Sequence, residues 1–307
     1  MVRVIFLCGG LGRRFGEYSP FCKPLTLLWG RPMFEYTLKP FIDRNMSILI
    51  AYNTVLEEQN FEEQVRAVYP EGRIEFYQIP YLTEGAVETG LLAVNSCIKE
   101  DESIIFFDND AIYRFDDDFV AKLNTNFTES FLGYSDIEEP LPCYCYMKIE
   151  GDHVKEIREK EIISNHYGIG VYGFHSSKIF EEEAMYIIRN KIKMRGEYYF
   201  SALYAHLLGK GMSIEGVRLE TPIVLGTPEQ VRDNLTNDIV EEHSIRGRRI
   251  YVSSFVKERC HYFLYLLETC GFEVVEMNTS DGIILSENSI NMLEKDWKKK
   301  LGLFVYD

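Results

Sequence analysis

The chain has 307 residues, 46% of them hydrophobic, and a formal net charge of -15 at pH 7. That length supports one large α/β domain, or a domain of ordinary size with a small companion. A balance this acidic argues against a nucleic-acid partner, and no apolar run nears the roughly 18 residues of a membrane span. Small anionic substrates remain compatible, because a basic loop or a divalent cation can reverse the sign of the field inside a cleft. The seven cysteines are odd in number, irregularly spaced and without a C-x-x-C pair. They read as reduced thiols of a cytosolic protein, not as a disulfide or zinc framework. Residues 1–8 are apolar but short and run into a charged loop, so no secretory leader is legible and a cytoplasmic protein is expected.

Strands and helices alternate along the first part of the chain. Residues 2–8 form a continuous apolar run, as expected of a strand buried on both faces. A helix follows over 32–43, with Pro32 near its first turn. Next come a strand at 47–52, a helix at 61–68, a strand at 73–78, and a helix at 86–98 entered through 83–85. The strand at 103–107 is apolar and ends in Asp108-Asn109-Asp110. This order predicts an α/β, Rossmann-like, mostly parallel sheet flanked by helices. From about residue 132 the texture changes to successive strands at 132–134, 143–149, 153–157 and 168–175, with a turn at Gly151-Asp152. Residues 178–208 are helix-rich, and a last strand is expected at 213–219. We place one domain over 1–237. Residues 238–307 read as a small appended α/β module of unassigned role, with strands at 249–254, 272–277 and 282–285 and helices at 256–270 and 288–300. The chain stops inside what reads as a strand, which suggests a piece of a longer protein.

Two clusters can carry chemistry. Leu7 to Arg14 reads L-C-G-G-L-G-R-R. Gly9, Gly10 and Gly12 let the backbone come close to an anion, and Arg13 and Arg14 add fork-shaped cationic donors. Lys23-Pro24 brings a further cation. The loop lacks the G-K-[ST] of a Walker motif and the third glycine of the dinucleotide fingerprint in register. A tight turn with solvated arginines is the bland alternative, and the clustering favours phosphate binding. The second cluster, Asp108-Asn109-Asp110, sits at the carboxyl end of a strand, where parallel sheets bind ligands. Two carboxylates one residue apart suit Mg²⁺, while a turn or helix cap is the alternative. The acidic run Asp116-Asp117-Asp118 reads as a solvated helix start.

These motifs resemble the sugar-1-phosphate nucleotidyltransferases, whose pattern is G-G-x-G-x-R followed by K-P. Other landmarks follow in the family's order. T-E-G-A-V at 83–87, with Gly85 and Ala86, is similar to the loop that touches base and ribose. Asp110 matches the metal aspartate. Glu159-Lys160 resembles the E-K segment that grips the sugar phosphate. The strand after it carries Gly168, and G-T-P-E at 226–229 resembles the closing motif. The resemblance spans roughly residues 1–235. It implies the nucleotide-diphospho-sugar transferase fold and transfer of NMP from an NTP to a sugar 1-phosphate, giving an NDP-sugar and pyrophosphate for glycan or surface polysaccharide precursors. Implied roles follow residue by residue. Arg14, Lys23 and Asp110 are catalytic. Leu7, Gly9, Gly10, Gly12, Arg13, Gly85 and Ala86 bind nucleotide. Glu159, Lys160 and Gly168 bind the acceptor, and Asp110 with Asp108 holds Mg²⁺. A homo-oligomer is compatible with the sequence.

The chain departs from the pattern in three places. Val224 stands where the family has a second metal aspartate, Asn109 stands before Asp110 in place of glycine, and Glu161 follows Lys160 in place of proline. Valine cannot coordinate a cation, and Asp108 is a candidate replacement. Alternatives therefore stay open: a cytidylyltransferase for a phosphorylated non-sugar acceptor, a turnover-deficient nucleotide-sugar binding protein, or a metal-dependent glycosyltransferase.

Overall fold

A computed structural model describes residues 2–15, 21–28, 31–234, 249–252, 273–274 and 283–285. Nine strands form the main sheet: β1 Arg3–Cys8, β2 Ile48–Tyr52, β3 Ile74–Gln78, β4 Ile104–Phe107, β5 Ser130–Asp136, β6 Cys145–Glu150, β7 His153–Glu159, β8 His166–Phe174 and β9 Ile214–Arg218. Their order across the sheet is β3-β2-β1-β4-β8-β5-β9-β7-β6. The expected parallel character holds over β3-β2-β1-β4. Beyond β4 the sheet is mixed: β8 runs antiparallel to β4 and β5, β9 is parallel to β5, and β7 is antiparallel to β9 and β6.

Alternation within β1 explains why its whole run is apolar. Val4, Phe6 and Cys8 point into one core, and Ile5 into the other. On the first face pack the helices Met33–Ile42, Phe61–Val68 and, beyond β4, Asp117–Asn124. Phe41 meets Phe6 and Phe107 edge-on at 4.9 and 4.7 Å between ring centroids. On the second face lie Ala86–Cys97, Ser177–Arg189 and Phe200–Gly209, with Phe106 against Phe180 at 4.7 Å. Burying apolar area on both faces at about 25 cal/mol per Å² fixes the sheet between two helix layers.

The chain leaves β1 toward β2 on one side and later returns to β4 on the other side of β1. This makes a switch point at the carboxyl ends of β1 and β4, where open α/β sheets form their ligand crevice. The short helix Thr54–Glu58, which the sequence reading does not contain, follows β2 and is capped by Asn53. In the C-terminal part, Arg249–Val252 pairs in parallel with Glu273–Val274 and Ile283–Leu285, in a sheet separate from the main one. The helices expected at 256–270 and 288–300 lie outside the described residues, as does the proposed strand at the chain end.

Candidate functional site

A cavity of about 560 Å³ opens beside the end of β1. Gly9, Gly10, Leu11 and Arg13 form one wall, and Leu82, Thr83, Glu84, Gly85, Ala86 and Thr89 form another. Gly196 and Glu197 close the rim. The glycine loop is held from behind by Asn53, which is 3% exposed. Its Nδ2 donates to the carbonyls of Gly9 and Gly10, both at 3.2 Å, while its Oδ1 accepts the N–H of Leu56 at 2.9 Å. One buried amide thus caps a helix and sets the loop. Leu7 lies beneath, its carbonyl accepting from Asn109 Nδ2, which ties the ends of β1 and β4 together.

Gly85 shows why the second wall needs glycine. Its φ is 149°, and a Cβ there would lie 2.5 Å from the backbone nitrogen of Tyr198. Tyr198 grips this loop from both sides: its N–H donates to Glu84 at 3.0 Å, and its carbonyl accepts the N–H of Val87 at 3.1 Å. Gly85 is also the N-cap of Ala86–Cys97, so the positive end of that helix faces the cavity. Thr83 and Thr89 share a hydroxyl hydrogen bond of 2.6 Å on the cavity wall.

Lys23 and Asp110 meet outside this lining. Lys23 Nζ pairs with the Asp110 carboxylate and donates to the Gly226 carbonyl at 3.0 Å. Gly12 packs on this lysine, and a Cβ at Gly12 would lie 2.7 Å from Lys23 Cβ. The first loop, the end of β4 and the closing G-T-P-E segment therefore converge on one ion pair. Val224 pairs with Ala111 in a two-stranded ribbon, adjacent to Asp110. Arg14 is exposed in the short turn Arg13–Phe15, outside the cavity lining, and makes no ion pair with a described residue.

Asp108 lies against Gly170. Its backbone N–H donates to Gly170 at 2.9 Å, and its carboxylate fills the space that a side chain at Gly170 would take. Asp108 as a residue is exposed, yet protein packs around its carboxyl, so desolvation comes first and the Asp110 charge second in pushing it up to about 7. Glu159 is near enough to add to that repulsion. Burial also raises Glu159 itself, opposed by a hydrogen bond from Ser201 Oγ at 2.8 Å. Lys160 Nζ donates to the Tyr199 hydroxyl at 3.1 Å. Gly168 lies in β8 with only ordinary contacts around a would-be Cβ, the nearest being Cys145 at 3.6 Å.

The structure thus gathers Gly9, Gly10, Arg13, Gly85 and Ala86 in one cavity, pairs Lys23 with Asp110 beside it, and sets Glu159 and Lys160 on the β7 side. Sequence reasoning missed Asn53, Thr89, Glu197 and Tyr198. Asn53 does carry a signal, since an asparagine between a strand and a helix reads as a cap, but nothing local shows that its amide faces a loop more than forty residues away.

No protein-family model and no curated protein sequence matches the chain. Solved structures match its fold. A nucleoside-diphosphate-sugar pyrophosphorylase from Vibrio cholerae RC9 superposes with a TM-score of 0.64 at 21% identity, covering 76% of this chain and 99% of its own. The chain has the nucleotidyltransferase fold. A UDP-glucose pyrophosphorylase complexed with UDP-glucose gives a TM-score of 0.62 at 15% identity, over 79% of this chain and 99% of that one. An inositol-1-phosphate CTP transferase from T. maritima gives 0.60 at 14%, over 79% and 95%. Among the described residues no helix is long and apolar enough to cross a membrane.

Proposed function

We propose that the protein is a nucleotidyltransferase that joins the NMP of an NTP to a sugar 1-phosphate and releases pyrophosphate. The observation that carries this reading is the meeting of the glycine loop with the 83–86 loop around one cavity, with the Lys23–Asp110 pair at its side. The nucleotidyltransferase fold of the matched structures supports it. We take residues 1–237 as the transferase unit and 238–307 as an appended module. The share of the chain covered by those structures is close to the share that residues 1–237 make up.

On this reading an oxygen of the acceptor phosphate bonds to the α-phosphorus as the bond from that phosphorus to the bridging oxygen breaks. The electron pair leaves with pyrophosphate. The acceptor oxygen is already ionised, so no protein base is needed and the work is positioning and charge neutralisation. The N–H groups of the glycine loop, with Arg13 and Arg14, hold the β- and γ-phosphates. The loop with Gly85 and Ala86 holds base and ribose. Lys23 stands at the α-phosphate, Lys160 holds the acceptor phosphate, and Glu159 accepts a hydroxyl of the acceptor beside Gly168.

The donors fit a Mg²⁺ ion that arrives with the nucleotide. Among the described residues no three His, Cys, Asp or Glu side chains gather to hold a metal unaided, and Val224 adds no oxygen. Asp110 already receives a cationic group, the Lys23 ammonium. Mg²⁺ commonly takes one or two carboxylates and completes its shell with phosphates and water. Asp110, with Asp108 as the candidate second carboxylate, would hold it, and the bound ion would neutralise phosphate charge. A cytoplasmic site of action, a place in polysaccharide precursor synthesis and self-association belong to the same proposal.

A pyrophosphate-release assay with Mg²⁺, each NTP and a panel of sugar 1-phosphates tests the reading. We expect release with at least one pairing. Val224 favours one second reading, a nucleotide-sugar binding protein without turnover; NTP binding with no release for any acceptor, including inositol 1-phosphate and choline phosphate, would establish it. Release of UDP from a UDP-sugar would point to a glycosyltransferase instead.

A further inference from the structure

The transferase reading gives Lys160 an acceptor phosphate to hold, and the structure shows what holds Lys160. The residue follows the β7 strand with its backbone in the left-handed region, φ 57°, and its N–H donates to the Tyr144 carbonyl at 2.8 Å. The side chain beyond is long and has many rotamers, so an acceptor would have to order it on binding. Tyr199 removes that freedom. Its hydroxyl accepts from Lys160 Nζ at 3.1 Å, and its ring centroid lies 4.9 Å from the same nitrogen. An ammonium has three N–H donors, so this hydrogen bond leaves two for a phosphate.

Tyr199 belongs to a short strap that serves both halves of the site. A bridge between Met194 and Glu197 closes a tight turn, whose Gly196 and Glu197 face the nucleotide cavity. Tyr198 then clamps the Gly85 loop through its backbone, Tyr199 holds Lys160, and Ser201 holds Glu159 at 2.8 Å. The two pockets are set from one run of eight residues. That fixes the acceptor phosphate relative to the α-phosphorus, and in-line transfer is sensitive to errors of about 1 Å.

We propose that Tyr199 is a positioning residue that presents the Lys160 ammonium to the acceptor phosphate. The inference rests on the transferase reading. Tyr199→Leu removes both ring and hydroxyl, and Tyr199→Phe removes the hydroxyl alone. Calorimetric titration with glucose 1-phosphate, and with inositol 1-phosphate as a second probe, should show the dissociation constant raised about tenfold or more in Tyr199→Leu and about two- to fourfold in Tyr199→Phe. NTP affinity and the urea midpoint should stay at wild-type values. A lysine-dependent role also predicts that either Tyr199 substitution has no further effect once Lys160→Ala is present, whereas a packing role would act equally in both backgrounds. Unchanged acceptor binding in the Tyr199 variants, or an equal loss in the Lys160→Ala background, overturns the inference and leaves the transferase reading intact. If Tyr199→Leu does not fold, the Tyr199→Phe and Lys160→Ala cycle decides alone. Failure of the wild type to bind either probe defeats the acceptor site, and the inference with it.

Discussion

Asn53→Asp separates two jobs done by one buried side chain. The aspartate keeps an oxygen where Asn53 Oδ1 accepts the N–H of Leu56 at 2.9 Å, so the cap on Thr54–Glu58 survives. It loses the amide that donates to the Gly9 and Gly10 carbonyls at 3.2 Å, and it sets a second acceptor against them. Each neutral hydrogen bond contributes about 0.5–1.5 kcal/mol, so the loop loses about 1–3 kcal/mol of restraint. If nucleotide binding must restore that order, affinity falls roughly five- to 150-fold, since about 1.4 kcal/mol is a factor of ten. Titration of the variant with whichever NTP binds the wild type measures this. Asn53→Ser keeps a capping oxygen and adds no charge, so it should weaken binding less, and urea unfolding of both variants separates loop order from global stability. Wild-type nucleotide affinity in Asn53→Asp would refute the claim that this residue sets a nucleotide-binding glycine loop.

Gly85→Ala and Gly10→Ala should differ. The first forces a Cβ against the Tyr198 backbone at a φ of 149°, costing about 1–3 kcal/mol of stability and at least tenfold in nucleotide affinity; the second meets nothing within 4 Å and should fold like the wild type. Equal unfolding midpoints for the two variants would reject the clamp. Glu35 gives a pH dependence. It is 4% exposed, and burial, opposed by its Arg31 partner, pushes its carboxyl up to about 6 from 4.5. The folded state therefore keeps the proton longer than the unfolded chain, so this group's stabilising contribution is present below about 4.5 and is lost as pH rises through 6, by about 2 kcal/mol. Glu35→Gln should remove that part of the slope, and a difference between wild-type and variant unfolding free energies that is flat from pH 4 to 7 would contradict it.

The strands β1, β2 and β4 and the helices between them are legible because their signals are local. A run such as Val4-Ile5-Phe6 is apolar at every position only when both faces are covered, which by itself says parallel sheet between helix layers. The sequence shows only a short strand at 132–134, since the full extent of Ser130–Asp136 depends on partners at β8 and β9. The glycine loop, Lys23 and Asp110 could be picked out as chemistry because glycines, paired arginines and paired aspartates have few other reasons to stand together.

The sequence by itself determined the order of elements and the residue types available for binding phosphate, because periodicity and side-chain chemistry are properties of short segments. It also carried the absence of an aspartate at Val224. Only the tertiary structure decided which groups meet. It sent Asp110 to Lys23 and Gly226, and Asp108 to the Gly170 recess, although one residue separates them. It placed Arg13 and not Arg14 on the cavity wall, and it brought Asn53 under the loop and Tyr199 against Lys160. Those contacts join residues 39 to 203 positions apart, and no local pattern encodes them.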